Sequence, residues 1–309
     1  MTVIVRDLRP DVPADTEGFA RVRRLALPYI LFTPESVRHM AVHVHPDARY
    51  RPLVAEEDGE VIGTAQVHLV PDGPEPGQGC LNVYVRPDRT GRGAGRLLVR
   101  VAEEYLAEQG ATRLFAWALD AAPNRAFAER RGYRRGRCAC FLRLDLANGT
   151  LPPPPEVPPG VELRTGADFA DDPRPLFELD AETMRDEPSD VSNEFTNYEA
   201  WLAETWRRPL LDRELTTVAV VDGRPAAFTV AYTDGGTRYS TAMTGTARAH
   251  RGRGLAKLAK VHGLHRARAA GVTEAFTGND TGNGPMIAIN KWLGYEECAA
   301  EVRYVRELG

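Results

Sequence analysis

The sequence predicts an α/β chain made of two similar domains in tandem, and three features lead to that prediction. The stretch from Thr244 to Lys260, T-G-T-A-R-A-H-R-G-R-G-L-A-K-L-A-K, reads as a strand, a glycine-rich loop and then a helix. Residues 150–160 are rich in proline and divide the 309 residues almost equally. Stretches of the first half recur in the second at an offset of about 160 residues, which indicates two domains of one kind.

The glycine-rich loop is the first candidate for chemistry. It contains Arg251, Gly252 and Gly254, and the helical stripe begins at Leu255. The first turn of a helix leaves backbone N–H groups without partners at the positive end of the helix dipole. Such a turn binds phosphate or diphosphate, and glycine lets the main chain approach the ligand. The spacing does not fit a Walker loop, and Lys257 stands where a dinucleotide fold needs its third glycine.

The two halves also match in their hairpins and in their connection. L-V-A-E-E-D-G-E-V-I-G-T-A-Q-V in the first half corresponds to T-V-A-V-V-D-G-R-P-A-A-F-T-V in the second, and each predicts a hairpin that turns at Asp-Gly. We therefore expect one domain at residues 1–149 and another at 161–309. The prolines of 150–160 predict a semi-rigid, extended spacer between them.

The order of motifs in the second half resembles a known family. Arg251, Gly254 and Ala256 fit R-x-x-G-x-A, and Asn283 and the run Leu293–Tyr295 follow after a helix and a strand. In this order they resemble the GCN5-related N-acetyltransferases, and with the internal repeat the resemblance covers almost the whole chain. It implies two acyl-CoA N-acyltransferase domains, each a mostly antiparallel sheet that splays at the cofactor strand and is flanked by helices. It also implies acetyl-CoA as the cofactor.

The resemblance assigns the cofactor of the second domain to a strand end, the glycine-rich loop and the last helix. The expected contacts are Thr244, Thr246, Ala247, Arg248, Arg251, Gly252, Arg253, Gly254, Leu255, Ala256, Asn279, Asn283 and Met286. A backbone amide of the strand end would polarise the thioester carbonyl, as in an oxyanion hole. Asn279 and Asn283 equally fit turn and helix N-cap roles, which asparagine often takes.

The first half keeps the loop but changes several side chains. Its possible cofactor contacts are Val83, Val85, Gly91, Arg92, Gly93, Ala94, Gly95 and Arg96. Thr90 stands at the position of Arg251, and Ala128 at the position where many family members have a tyrosine that protonates the thiolate. Main-chain contacts to phosphate would survive these changes better than the chemistry. We therefore expect the second domain to catalyse, and binding of CoA by the first stays open.

The general base and acid of the second domain are not clear from the sequence. The tyrosine position holds Asn290, whose amide would instead bond pantetheine or the thioester oxygen. Asp186, Glu187 and Asp190 are the preferred bases because Pro188 places them in a loop, and Tyr232 and Tyr239 are alternative acids that also fit the core. The three carboxylates belong to an acidic segment that also fits solvated helix faces. Its other members are Glu178, Asp180, Glu182, Glu194, Glu199 and Glu204.

The resemblance implies an enzyme whose second domain transfers an acetyl group from acetyl-CoA to a primary amine of a small molecule by direct attack. The acidic segment would favour a cationic amine. Two alternatives stay open: a CoA-binding pseudoenzyme or sensor, supported by the missing tyrosine in both halves, and a protein N-acetyltransferase.

Composition limits the partners. The net charge of −4 gives no bulk attraction to nucleic acid or to a membrane. No apolar run approaches the length of a membrane span, so we expect a cytoplasmic protein. We expect it to be a monomer or a homodimer. Histidines and cysteines lack the spacing of metal ligands, so we expect no metal.

Overall fold

The computed structural model describes residues 2–71, 75–190 and 197–308. They divide into two compact units. The described residues of the first unit are 2–71, 75–140, 190 and 299–308, and those of the second are 141–189 and 197–298. The contacts therefore assign most of the last strand, from residue 299 on, to the first unit and residues 141–149 to the second. This differs from the division at 149 and 161 expected from the repeat.

Strands and helices follow one another in the same order in both halves of the described chain. The strands are β1 (Val3–Asp7), β2 (Arg51–Glu57), β3 (Glu60–Leu69), β4 (Gln78–Val85), β5 (Arg113–Leu119), β6 (Arg134–Asp145), β7 (Val161–Thr165), β8 (Leu211–Val221), β9 (Arg224–Thr233), β10 (Arg238–Thr246), β11 (Glu274–Asp280) and β12 (Glu296–Glu307). The α-helices are α1 (Pro13–Ala26), α2 (Pro34–His43), α3 (Ala94–Glu108), α4 (Ala122–Arg130), α5 (Arg174–Met184), α6 (Tyr198–Trp201), α7 (Leu255–Ala269) and α8 (Gly284–Trp292).

The sheet of the first unit has the strand order β1-β2-β3-β4-β5-β12. Its described pairs are antiparallel except the parallel pair of β4 with β5. One face packs on α3 through an apolar cluster that includes Leu98 and Leu106. Phe19 of α1 and Val37 of α2 belong to another cluster, with residues of β2 and β3. The expected mostly antiparallel sheet flanked by helices is confirmed.

The second unit repeats this arrangement with β11-β10-β9-β8-β7, and β6 adds next to β11. Here β10 and β11 form the parallel pair. In both units the parallel pair separates partway along. The pairing of β4 with β5 ends at Cys80 and Phe115, and that of β10 with β11 at Thr241 and Thr277. The strands continue beyond these residues, so each sheet has the V-shaped opening that the resemblance implies.

The two predicted hairpin turns are confirmed. Asp58 and Gly59 have φ of 51° and 81°, and Asp222 and Gly223 have φ of 50° and 77°. Positive φ at both central residues is typical of the tight turn whose twist matches the flanking strands.

The proline-rich segment has a fixed place on the second unit. His265 Nε2 lies 2.8 Å from the carbonyl oxygen of Pro152, and His262 Nε2 lies 3.0 Å from that of Pro155. Both histidines are on α7, so the segment packs along this helix of its own unit.

Candidate active site

Both glycine-rich loops have the backbone conformation of a phosphate-binding turn. Gly93 caps α3 with φ of 89°, and Gly254 caps α7 with φ of 76°. Among the described residues, no atom outside the adjoining chain lies within 4 Å of a Cβ built on either glycine. The first helical N–H groups that find a backbone acceptor there are those of Leu97 and Leu258. The preceding N–H groups are therefore available to an anion, and side chains do not fill either turn.

The first unit has a large open cavity next to its loop. The cavity has a volume of about 970 Å³ and reaches from the loop through the opening between β4 and β5 to Ala26 of α1. This size lies at the upper end for small-molecule sites. Its lining includes every first-half residue expected to contact the cofactor: Val83, Val85, Gly91, Arg92, Gly93, Ala94, Gly95 and Arg96.

Two cations at the mouth of this cavity are free to bind phosphate. Arg96 and Arg130 line the cavity, and neither has an ion-pair partner within the described part of the chain. Arg92 also lines it, but its guanidinium lies 2.9 Å from Glu57 Oε2. The Asn124 side chain lines the cavity too, with Nδ2 donating to the carbonyl of Leu119 at 3.2 Å. The mouth is therefore cationic, and the interior is formed largely by apolar side chains such as Leu81, Val99 and Phe127.

The inner end of the cavity contains a buried polar cluster. Tyr84 lines the cavity, and its hydroxyl donates to Glu301 Oε1 at 2.5 Å. The guanidinium carbon of Arg23 lies 4.6 Å from the centre of the Tyr84 ring, and Arg23 also donates to Thr64 Oγ1 at 3.0 Å. Burial raises the pKa of Glu301, while the Tyr84 hydrogen bond and the Arg23 charge oppose that rise. The raised pKa means that the Glu301 carboxylate has a higher affinity for a proton than an exposed glutamate has.

In the second unit, an acidic side chain forms ion pairs with the arginines of the loop. Asp186 accepts from Arg248 at 2.7 Å and from Arg251 at 2.5 Å. Hydrogen bonds from the two guanidinium groups hold the pKa of Asp186 well below its usual range. The prediction of Asp186 as general base is therefore corrected, because a carboxylate paired with two arginines has little affinity for a proton.

Asparagines of the second unit bond within the protein. Asn283 Oδ1 accepts from the N–H of Met286 at 3.4 Å, so it caps α8. Asn290 is fully buried, and its Nδ2 donates to Asn279 Oδ1 at 2.7 Å. The predicted contact of Asn290 with the cofactor is not supported, because its side chain does not reach the surface of the unit. The half-buried Met286 follows the cap at the start of α8.

The interiors of the two units differ at corresponding positions. Lys260 of α7 stands where Val99 stands in α3, and Asn290 stands where Ala128 does. Lys260 is 2 % exposed, and its Nζ has no hydrogen-bond partner in the described chain. Burial lowers the pKa of Lys260 to about 7. At the outer end of α8, Lys257 Nζ lies 3.2 Å from the centre of the Trp292 ring. Lys260 and Asn290 are thus larger or more polar than Val99 and Ala128, which line the cavity of the first unit.

The remaining catalytic candidates fall in different places. Tyr239 is 1 % exposed, and burial raises its pKa to about 12, so it is a buried residue rather than an accessible acid. Glu187 is exposed beyond the end of α5. Asp190 belongs to the first unit, where it lies 3.4 Å from Arg303 and 3.8 Å from Arg137. Its placement beside the second acceptor site is therefore corrected. Glu194 lies outside the described residues.

The remaining predicted contacts of the second domain lie along the strand end and the loop. Thr244 and Thr246 are on β10, and Thr244 Oγ1 lies 3.2 Å from Thr229 Oγ1. Ala247 and the half-buried Ala256 flank the loop, whereas Arg253 is exposed with its guanidinium 2.9 Å from His250 Nδ1. The Leu255 side chain packs in the core, so only its backbone is available to a ligand.

Two residues that the sequence did not single out, and Asp180 of the acidic segment, have notable environments. Tyr84 and Glu301 meet at the inner end of the first cavity, as described above. Asp180 of α5 is 5 % exposed, and burial raises its pKa to about 6. Its Oδ2 accepts from Trp201 Nε1 at 2.8 Å. The sequence could have indicated Tyr84, because it lies on the strand that precedes the first glycine-rich loop. Nothing in the sequence pairs it with Glu301.

No group of three or more histidine, cysteine or acidic side chains is arranged to hold a metal ion within residues 2–71, 75–190 and 197–308. In the same ranges, none of the helices is long and apolar enough to cross a membrane.

Comparison with known proteins agrees with this fold. The profile of the acetyltransferase (GNAT) family matches residues 20–133 and 176–295. A mycothiol acetyltransferase of Nocardia farcinica is 32 % identical over 262 residues, covering 82 % of both chains. One of Thermomonospora curvata is 29 % identical over 256 residues, covering 83 % of this chain and 82 % of the relative.

Solved structures show the same architecture. A tandem GNAT protein from the clavulanic acid biosynthesis pathway superimposes with a TM-score of 0.73 at 22 % identity, covering 100 % of this chain and 99 % of that one. A GCN5-related N-acetyltransferase from Sphaerobacter thermophilus gives 0.70 at 23 % identity, with 99 % and 95 % covered. The chain belongs to the acetyltransferase (GNAT) family and is an acyltransferase with two GNAT domains in tandem.

Proposed function

We propose that the protein transfers an acetyl group from acetyl-CoA to a primary amine of a small molecule, and that the first-unit cavity binds the donor. The observation that carries this proposal is the cavity of about 970 Å³ beside an open phosphate-binding turn. The curated relatives are named mycothiol acetyltransferases, so a mycothiol-related amine is the first acceptor to test.

The residues of the cavity fit the parts of acetyl-CoA. The free N–H groups after Gly91, with the guanidinium groups of Arg96 and Arg130, suit the diphosphate. The apolar walls suit the pantetheine arm, and the opening between β4 and β5 gives a path to α1. Once bound, acetyl-CoA supplies a thioester that an amine can attack. The chain's own residues hold the donor in the opening and exclude water from its inner end.

The second domain offers a competing location for the chemistry, which the sequence favoured. Its loop has the same open turn, but Arg248 and Arg251 are paired with Asp186. Its interior holds the buried side chains of Lys260 and Asn290 where the first unit is open. These differences favour the first unit as the donor site, and the second loop as a weaker diphosphate site.

A matched pair of variants tests the assignment. Gly95 and Ala256 occupy the same position in the first turns of α3 and α7, and Asp is well tolerated in a first helical turn. A Cβ at Gly95 would meet Val85 Cγ2 at 3.6 Å, an ordinary contact. An added carboxylate would repel a diphosphate and weaken binding by at least about tenfold. CoA release would be measured over a panel of small amines, with acetyl-CoA affinity by calorimetry.

The outcomes separate the possible functions. We expect Gly95→Asp to lose acetyl-CoA binding and CoA release, and Ala256→Asp to keep most of both. The reverse pattern would assign the reaction to the second domain. Tight acetyl-CoA binding without release on any amine would identify a sensor, and release with peptides alone would identify a protein N-acetyltransferase.

A further inference from the structure

We propose that Tyr84 and Glu301 are the proton-transfer pair of the first-unit site, with Glu301 supplied by the last strand of the chain. This inference rests on the proposed acetyl transfer and names the groups that would take the proton from the acceptor amine. It makes Tyr84 the catalytic residue that faces the substrate, and Glu301 the group that accepts the proton of the Tyr84 hydroxyl.

The position of the pair follows from the sheet. Tyr84 is near the end of β4, beyond Cys80, where the pairing with β5 stops. Its side chain therefore lies beside the opening, and it lines the cavity together with Trp117 and Ala26. β12 pairs with the other edge of β5, and its residue Glu301 stands opposite Leu119. The carboxylate thus reaches the Tyr84 hydroxyl at the inner end of the cavity.

Both residues are buried, and of the two only Tyr84 lines the cavity. Tyr84 is 7 % exposed and Glu301 is 4 % exposed. The charged and titratable groups that act on them are Arg23 from α1, whose guanidinium faces the Tyr84 ring, and the hydroxyl of Tyr29. The Arg23 charge stabilises the ionised carboxylate, whereas burial favours the protonated form. Burial is the larger effect, so Glu301 has a higher proton affinity than an exposed glutamate, which suits a proton acceptor.

The proton balance of the step is complete. The neutral amine forms a nitrogen–carbon bond to the thioester carbonyl, and the carbon–sulfur bond breaks with its electron pair leaving on the CoA thiolate. The amine proton moves to the Tyr84 oxygen as the Tyr84 proton moves to Glu301. Glu301 later returns its proton to solvent, and the thiolate takes one from solvent, so the pair ends in its starting state.

This pair offers a proton path that differs from the family tyrosine. The position of that tyrosine is Ala128 in the first unit, and Ala128 lines the cavity without any polar side-chain group. Tyr84 enters the cavity from the sheet rather than from α4. A missing tyrosine on the last helix therefore does not by itself exclude catalysis in this domain.

Two conservative variants test the pair in the full-length protein. Glu301→Gln keeps the size of the side chain and an oxygen that can accept from Tyr84, but it cannot take a proton. Tyr84→Phe removes only the hydroxyl and keeps the ring beside Arg23. Glu307→Gln is the matched control, because Glu307 is an exposed carboxylate of the same strand whose partner is Arg113.

We expect kcat for CoA release to fall about 100- to 1,000-fold in both variants, with KM for acetyl-CoA unchanged. The double variant should lose no more than either single variant, because the two groups act as one unit. The wild-type kcat/KM should rise with pH as Glu301 ionises, and Glu301→Gln should lack that rise. Glu307→Gln should keep wild-type kinetics.

The following results would contradict the proposed role of Tyr84 and Glu301 in proton transfer. Wild-type kcat in Glu301→Gln, or a loss that leaves the pH rise intact, would show that the pair has at most a structural role. If Glu301→Gln does not fold, as judged by its melting temperature, Tyr84→Phe decides. Loss of activity in Ala256→Asp alone would leave acetyl transfer standing but reject this site. Absence of CoA release by the wild type would reject the proposed function and the pair together.

Discussion

Asp186 Oδ2 lies 2.5 Å from a terminal nitrogen of Arg251, so the loop residue expected to hold diphosphate is paired within the protein. Arg248 makes two further bonds to the same carboxylate, at 2.7 and 2.9 Å. A bound diphosphate would have to displace this carboxylate from both guanidinium groups. The acidic segment therefore influences the second loop, in addition to any role at an acceptor site.

Asp186→Asn should strengthen binding of CoA to the second loop by about two- to fivefold, because exposed ion pairs are weak and their loss frees both arginines. Calorimetry in the Gly95→Asp background would isolate the second loop. Glu178→Gln removes an exposed charge from the same segment and should change nothing. An unchanged or weaker affinity in Asp186→Asn would show that the pair organises the loop instead of competing for it.

Lys260 should make the stability of the protein depend on pH. Burial lowers its pKa from 10.5 to about 7, so between these values the unfolded chain holds a proton that the folded chain has released. The free energy of unfolding should therefore rise with pH, by about 2 kcal/mol between pH 7 and 9. Below pH 7 Lys260 is protonated in both the folded and the unfolded state, so it should no longer make the free energy of unfolding depend on pH.

Lys260→Met keeps much of the side-chain volume and removes the charge. Chemical denaturation at several pH values should show that the variant is more stable than the wild type at pH 7. The difference should shrink as pH approaches 9. A difference that does not vary with pH would mean that Lys260 keeps its proton in the folded state.

Ala128→Phe should block the first cavity, because Ala128 is half-buried on α4 and lines it. We expect the affinity for acetyl-CoA to fall at least about tenfold, with little change in melting temperature, since the ring would fill open space rather than a packed core. Ala122→Phe places the same ring at an exposed position of α4 and should bind normally. Equal binding by the two variants would mean that the donor lies elsewhere.

Local patterns predicted the local structure well. Asp58-Gly59 and Asp222-Gly223 form the predicted hairpin turns because their conformations depend mainly on two adjacent residues. The glycine-rich turns before α3 and α7 also formed as predicted. Asn283 adopts its N-cap role for the same reason, although the sequence could not exclude contact with the cofactor.

Side chains brought together from distant parts of the chain were predicted less well. Asp190 fits a loop in the sequence, yet its partners Arg137 and Arg303 come from β6 and β12. The sequence favoured the second domain because Arg251 and Asn283 match the family motif. The motif residues predict the conformation of the loop. They do not predict whether the side chains of Lys260 and Asn290 are buried in the interior of the second unit behind that loop.

The sequence alone determined the tandem family fold through its repeated motifs. It also determined the two open glycine-rich turns and the hairpins, because each of these depends on residues close together in the chain. The tertiary structure decided the size and lining of the first-unit cavity, because these depend on the volumes of side chains packed from several elements. It also brought Tyr84 to Glu301 across 217 positions, through the pairing of β12 with β5. Strand pairing at such separation is set by burial of the whole sheet, which no local pattern encodes.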